Sequence, residues 1–129
     1  MTIGQRIKKA RLHRGLTQKE LGMLVGFPEN SADVRIAQYE ASTRKPKADM
    51  KEKLSNVLKI NPRYLHMPEN YDMRDIVFLL FELGEEMGCV HSDYEEVNSF
   101  LIEWTHKNSL LANNTITKQE YMEWILSLC

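Results

Sequence analysis

The sequence predicts an all-α protein built from two unlike parts: five short helices over residues 1–66, a linker at 67–71, and a small acidic helical domain over 72–129. Three observations carry that expectation. Helix-start signals recur: Thr2-x-x-Gln5, Thr17-x-x-Glu20, Ser92-x-x-Glu95 and Thr117-x-x-Glu120 each fit a capping box, and Asn61-Pro62 sets a capping Asn before Pro at a first helical position. Strand signals do not appear, because no run of roughly four to eight residues alternates apolar and polar side chains. Charge divides the chain: residues 1–70 carry fourteen Lys and Arg against seven Asp and Glu, whereas 71–129 carry three against eleven. The formal net charge of −1 is therefore a cancellation of +7 and −8.

Each element follows from a local pattern. Ile3, Ile7 and Ala10 share one face of a first helix that ends near Arg14-Gly15, where Gly15 suits a left-handed cap. Leu21, Leu24 and Val25 form the expected inner face of a second helix from Gln18, and Gly26-Phe27-Pro28-Glu29-Asn30 reads as a turn. A third helix, about Ala32–Ala41, turns Ile36 and Tyr39 inward and Val34 or Arg35 outward. After the basic loop Arg44-Lys45-Pro46-Lys47, a fourth helix carries Met50, Leu54, Val57 and Leu58, and a fifth begins at Pro62 with Tyr64 and Leu65. Met67-Pro68-Glu69-Asn70 breaks helicity where the charge changes sign.

Beyond the break, Ile76, Val77, Leu79, Leu80, Phe81, Leu83 and Met87 make an apolar face too wide for one contact, and Gly88 ends that helix. Tyr94, Val97, Phe100, Leu101 and Trp104 follow the Ser92 cap; Tyr121, Trp124, Ile125 and Leu128 follow Thr117. A domain this small has a marginal core, and a helix apolar nearly all round needs a further partner. Self-association into a homodimer through Ile76, Leu80, Phe81, Phe100, Trp104 and Trp124 is therefore expected, with packing against the first domain as the competing reading.

Several function classes are excluded. Hydrophobic residues at 43% and charged residues at 27% fit a globular chain. The longest apolar run, Ile76–Phe81, is far short of a membrane span, and the first residues lack the apolar region of a secretory signal. Two cysteines, Cys89 and Cys129, make no disulfide framework, so a cytoplasmic, reduced setting is expected. Cys89-x-His91 is too sparse for zinc, and His13 and His66 supply no second half, so no metal is expected. Glu85, Glu86, Glu95 and Glu96 read as a solvated face rather than paired acid–base carboxylates. No phosphate-cradling glycine loop or nucleophile elbow is present. Neither an enzyme nor a cofactor is expected. Tyr94, Trp104, Tyr121 and Trp124 read as core or interface, with a small-molecule pocket as the alternative.

Five short helices in a basic segment, with a tight helix–turn–helix second and third, suit the major groove of double-stranded DNA. The residues go further. Ile3-Gly4-x-Arg6-Ile7-x-x-x-Arg11-x-x-x-Gly15-Leu16-Thr17-Gln18-x-x-Leu21 closely resembles the opening of the Cro/phage-repressor-type helix-turn-helix family of transcriptional regulators. The resemblance resumes at Ile36-Ala37-Gln38-Tyr39-Glu40, at Arg44-Lys45-Pro46 and at Leu58-x-Ile60-Asn61-Pro62-x-Tyr64-Leu65, and so covers residues 2–66. The chain departs from the family pattern in four places. The interval Gly26–Glu40 is about four residues longer than usual, Gly22 replaces Ala, Lys47 replaces a small capping residue, and Lys59 stands where Gly often ends the fourth helix. The longer turn leaves open which of Asn30, Ser31 and Asp33 reaches DNA.

Counting outward from Ile36 and Tyr39 makes Val34, Arg35 and Gln38 groove-facing. Gln pairs bidentately with adenine, Arg with guanine, and an apolar side chain meets a thymine methyl. Asp33 either accepts from cytosine or caps the helix. Phosphate contacts are expected from Thr17 and Gln18 at the start of the second helix, from Ser31, and from Arg44, Lys45 and Lys47. The resemblance implies that Arg11 and Glu40 form a partly buried structural pair between the first and third helices. The leading expectation is a dimeric regulator binding an inverted repeat, and the resemblance implies a repressor. The competing one is an antitoxin or adaptor whose acidic domain holds a protein partner.

Overall fold

The computed structural model describes residues 1–70, 72, 74–76, 78 and 91–128. Among the described residues there is no strand, and the helices are α1 (Ile3–His13), α2 (Gln18–Leu24), α3 (Ala32–Glu40), α4 (Ala48–Leu58), α5 (Pro62–His66), α6 (His91–Ala112) and α7 (Lys118–Ser127), with residues 74–76 and 78 helical as well. The expectations placed on Val77, Leu79, Leu80, Phe81, Leu83, Met87, Gly88, Cys89 and Cys129, and on the side chains of Ser92 and Tyr94, lie outside the described residues. No described helix is long and apolar enough to cross a membrane.

The starts of the helices are set locally. Thr2 accepts from the Gln5 backbone while the Gln5 side chain accepts from the Thr2 backbone, and Thr17 and Glu20 do the same for α2. Thr117 and Glu120 repeat the exchange before α7. Asn61 Oδ1 accepts from the Arg63 N–H, at 2.8 Å, ahead of Pro62. Ser31 precedes α3 without a side-chain cap, and Lys47 precedes α4 the same way.

Five helices end alike, with one left-handed residue followed by an N–H that reaches back five residues. Leu16 bonds to the Arg11 carbonyl, Phe27 to Gly22, Thr43 to Gln38, Ile60 to Ser55 and Thr115 to Leu110. The left-handed positions are Gly15, Gly26, Ser42, Lys59 and Asn114. A non-glycine residue there costs roughly 1 kcal/mol. At Lys59 the cost is offset by Arg14, whose guanidinium donates to the Leu58 carbonyl at 2.7 Å and to the Lys59 carbonyl at 3.0 Å. A cation is thereby placed on the negative end of α4.

The chain divides into two compact units, one comprising Met1–Glu69 with Met122–Cys129, the other Asn70–Tyr121. The first unit's core is Ile3, Ile7, Ala10, Leu21, Val25, Ile36, Tyr39, Leu54, Leu58, Ile60, Leu65 and Leu126. Two expectations are corrected by it. Leu24 is 59% exposed, because the inner stripe of α2 is Leu21, Gly22 and Val25 and residue 24 falls about 100° off its centre. The last residues of the expected 72–129 domain pack with the first unit instead: Leu126 is only 1% exposed, with Met122 one turn earlier against the same core.

Polar contacts fasten that segment. Glu123 Oε2 accepts from Arg14 Nη1 at 2.7 Å and is hydrogen-bonded to His13 Nε2 at 2.6 Å, and Asn61 Nδ2 donates to the Leu128 carbonyl at 3.1 Å. Arg6, 2% exposed, closes the other side by donating to the carbonyls of Met67 and Pro68 at 2.6 and 2.8 Å. Within the second unit, Trp104 Nε1 donates to the Tyr121 hydroxyl, which donates to Asn108 Oδ1.

Candidate nucleic-acid interface

The third helix is locked onto the second and the first at two glycines. A Cβ on Gly22 would lie 2.4 Å from the Ala32 carbonyl oxygen, and one on Gly4 would lie 2.3 Å from that of Tyr39. In both cases the obstacle is backbone, so α3 sits directly on α1 and α2. Phe27 in the turn stacks at a tilt on Tyr39, with ring centroids 6.2 Å apart.

A buried ion pair fixes the same corner. Arg11 Nε donates to Glu40 Oε1 at 2.6 Å and Nη2 to Oε2 at 3.1 Å, while Nη1 donates to the Leu16 carbonyl at 2.7 Å. Gln18 Nε2 adds a bond to Glu40 Oε2 at 2.9 Å. Both carboxylate oxygens are thus engaged, as a desolvated charge requires.

With Ala32, Ile36 and Tyr39 buried, α3 turns Asp33 and Val34 fully outward and leaves Arg35 and Gln38 half-buried on its flanks. Asp33 Oδ1 accepts from the Val34 N–H at 2.8 Å, a contact within the first turn rather than a cap on Ser31. Ser31 Oγ lies 3.4 Å from the Pro28 carbonyl. The Gln38 carbonyl accepts from the N–H groups of Thr43 and Arg44 and from the Thr43 hydroxyl, which ties the basic loop to the end of α3. Arg44, Lys45 and Lys47 are exposed on that loop, and Lys45 Nζ stands 3.9 Å from Glu69.

At the start of α2 the Thr17 hydroxyl is committed to Glu20, donating to its carboxylate at 2.8 Å and accepting from its N–H at 3.1 Å. The Thr17 backbone N–H, donating to the same carboxylate at 2.7 Å, and then the Thr17 hydroxyl hold the Glu20 carboxyl below its ordinary value. Lys19 is paired with Glu29 of the turn, Nζ to Oε1 at 2.8 Å. Sequence reasoning did not single out Lys19, Arg6 or Gly22's contact. The first two are surface or motif cations without a local partner, and the third depends on where the longer turn delivers Ala32.

The expected self-association residues fall in different places. Phe100 and Trp104 are exposed on α6, in a stripe with Val97 and Leu101 at helical spacing, and Ile76 is exposed as well. Trp124 is half-buried and belongs to the first unit.

Residues 7–65 match the family model described as Helix-turn-helix. The chain is 35% identical over 65 residues to the HTH-type transcriptional regulator ImmR of Bacillus subtilis (strain 168), an alignment spanning 50% of this chain and 48% of that one, so the chain spans about half the length of this curated relative. It is also similar to the crystal structure of the transcriptional regulator BswR, at 33% identity and a TM-score of 0.52, over 80% of this chain and 94% of that chain.

Proposed function

Because the chain belongs to the helix-turn-helix family of DNA-binding transcriptional regulators, we propose that it is a sequence-specific regulator that binds double-stranded DNA as a homodimer on an inverted repeat and represses by occupying the site. The observation that carries the reading is the outward face of α3, with Val34 53% exposed between Asp33 and Arg35, joined through the Gln38 carbonyl to the loop bearing Arg44 and Lys45. One rigid piece then holds groove-reading side chains and phosphate-binding cations in fixed register.

In that reading Val34, Arg35 and Gln38, with Asp33 at the edge, meet base edges. Arg44, Lys45 and Lys47, with Ser31, meet phosphates and give a salt-dependent affinity. Gln18 keeps one amide hydrogen beyond the one it gives Glu40, and Thr17, whose hydroxyl hydrogen goes to Glu20, orients the helix start on the phosphate. The exposed stripe Val97, Phe100, Leu101 and Trp104 supports a second copy as the partner, since paired recognition helices spaced by about 34 Å read successive major grooves.

Selection from a random duplex library with the full chain tests this, run beside a Phe100→Glu/Trp104→Glu variant. Enrichment of an inverted repeat by the wild type, reduced to a half-site or lost in the variant, is the expected result. Enrichment of no sequence would end the DNA reading. A monomer in solution that enriches an isolated half-site would end the dimer reading and turn the exposed stripe toward an unlike protein partner.

A further inference from the structure

The longer turn between α2 and α3 brings an acid to a basic helix start. Glu29 Oε1 lies 2.8 Å from Lys19 Nζ, the two side chains being 71% and 50% exposed. Lys19 is the second residue of α2, beside Gln18, and it feels Asp33 in the first turn of α3. Its contact with Glu29 places it, with Gln18, at the start of α2 and against the turn that leads into α3. The pair is held by charge in open solvent, where such a contact is worth little and exchanges readily. Glu29 holds the Lys19 ammonium above its ordinary range, and Lys19 holds the Glu29 carboxyl below its own.

A phosphate arriving at this corner meets a cation that already has a counter-charge. To bind Lys19 it must displace Glu29, and the displaced carboxylate then remains beside the phosphate. Resting on the DNA-binding reading above, we propose that Glu29 is a positioning residue that keeps Lys19 off the DNA backbone and so lowers sequence-independent affinity by one phosphate contact. Val34, Arg35 and Gln38, the side chains proposed to read base edges, take no part in this exchange. The device therefore weakens binding to arbitrary DNA without weakening base readout.

Binding of the full chain to a duplex of scrambled sequence, followed across salt concentration, separates the alternatives. Glu29→Gln is expected to steepen the slope of log K against log salt by about 0.9, which makes the loss of affinity between about 50 and 200 mM salt roughly threefold larger. Lys19→Met alone should leave the slope as in the wild type, and the double variant should return to it. Equal slopes for wild type and Glu29→Gln would overturn the inference, as would a shallower slope for Lys19→Met alone. A gain that survives in the double variant would assign the effect to general repulsion by Glu29 and overturn it too. Wild-type chain that binds no duplex at all would instead remove the DNA reading on which the inference rests. Both side chains are exposed, so melting curves of all four proteins should coincide.

Discussion

The carbonyl oxygen of Ala32 occupies the space in which Gly22 would carry a Cβ, 2.4 Å from where that atom would stand. Ala32 is the first residue of α3, so that helix starts directly against the backbone of α2. Gly22→Ala is therefore expected to destabilise the first unit by about 1–3 kcal/mol, although alanine favours a helix more than glycine does. Denaturant unfolding checks this, and a variant as stable as the wild type would mean that α3 can step back without cost.

Arg11 and Glu40 should behave as one unit. Arg11→Met or Glu40→Gln alone strands a buried partner, at about 3–5 kcal/mol, whereas Arg11→Met with Glu40→Leu should lie nearer the wild type than either. A double-mutant cycle measures the coupling. Strict additivity would show that each group is held by its other bonds, to the Leu16 carbonyl and to Gln18.

Leu126 fills a first-unit core position from far along the sequence. Leu126→Ala should cost about 2–5 kcal/mol, against little for the exposed Met23→Ala. Similar melting temperatures for the two variants would show that the end of α7 does not contribute to the core.

Acid should loosen the same segment. Hydrogen bonds from His13 and then Arg14 hold the Glu123 carboxyl below its ordinary value. A lowered folded-state value means that the stabilisation is complete above the ordinary carboxylate range and is lost as the pH falls through the lowered value. Glu123→Gln should remove that part of the acid dependence below about pH 5, by less than about 1 kcal/mol because the carboxylate is half exposed. Superimposable stability–pH curves for the two proteins would contradict it.

On DNA, Gln38→Ala should relax preference at one base position, whereas Lys45→Ala should weaken all sequences alike and lower the salt slope by about one. Identical behaviour of the two variants would mean that α3 is oriented differently on its site.

What the sequence made legible is mostly local. The Thr2, Thr17 and Thr117 caps and the Asn61-Pro62 start are complete within four residues, and each appears where its signal stands. Helix ends were legible where the left-handed residue is Gly15 and obscure where it is Ser42 or Lys59, because there the conformation is held by contacts such as those of Arg14. Periodicity gave Leu21 and Val25 their inward direction but misplaced Leu24, since Gly22, with no apolar side chain to count, is the residue that faces α3. For α7 the pattern at Tyr121, Trp124, Ile125 and Leu128 hid a second stripe, Met122 and Leu126, whose partners lie in the first unit. Gln18 illustrates the same limit at the interface: its position is local, but its bond to Glu40 spans 22 residues.

The placement of Leu126 also bears on how the protein is made. A ribosome that has released residues 1–69 has released all but the last segment of the first unit. At synthesis rates of about 5–20 residues per second, that unit then waits on the order of 3–10 s before Leu126 can enter its core. During that interval the nascent chain presents an apolar opening among its first helices, which is a window for chaperone capture or for invasion by the α7 of another copy.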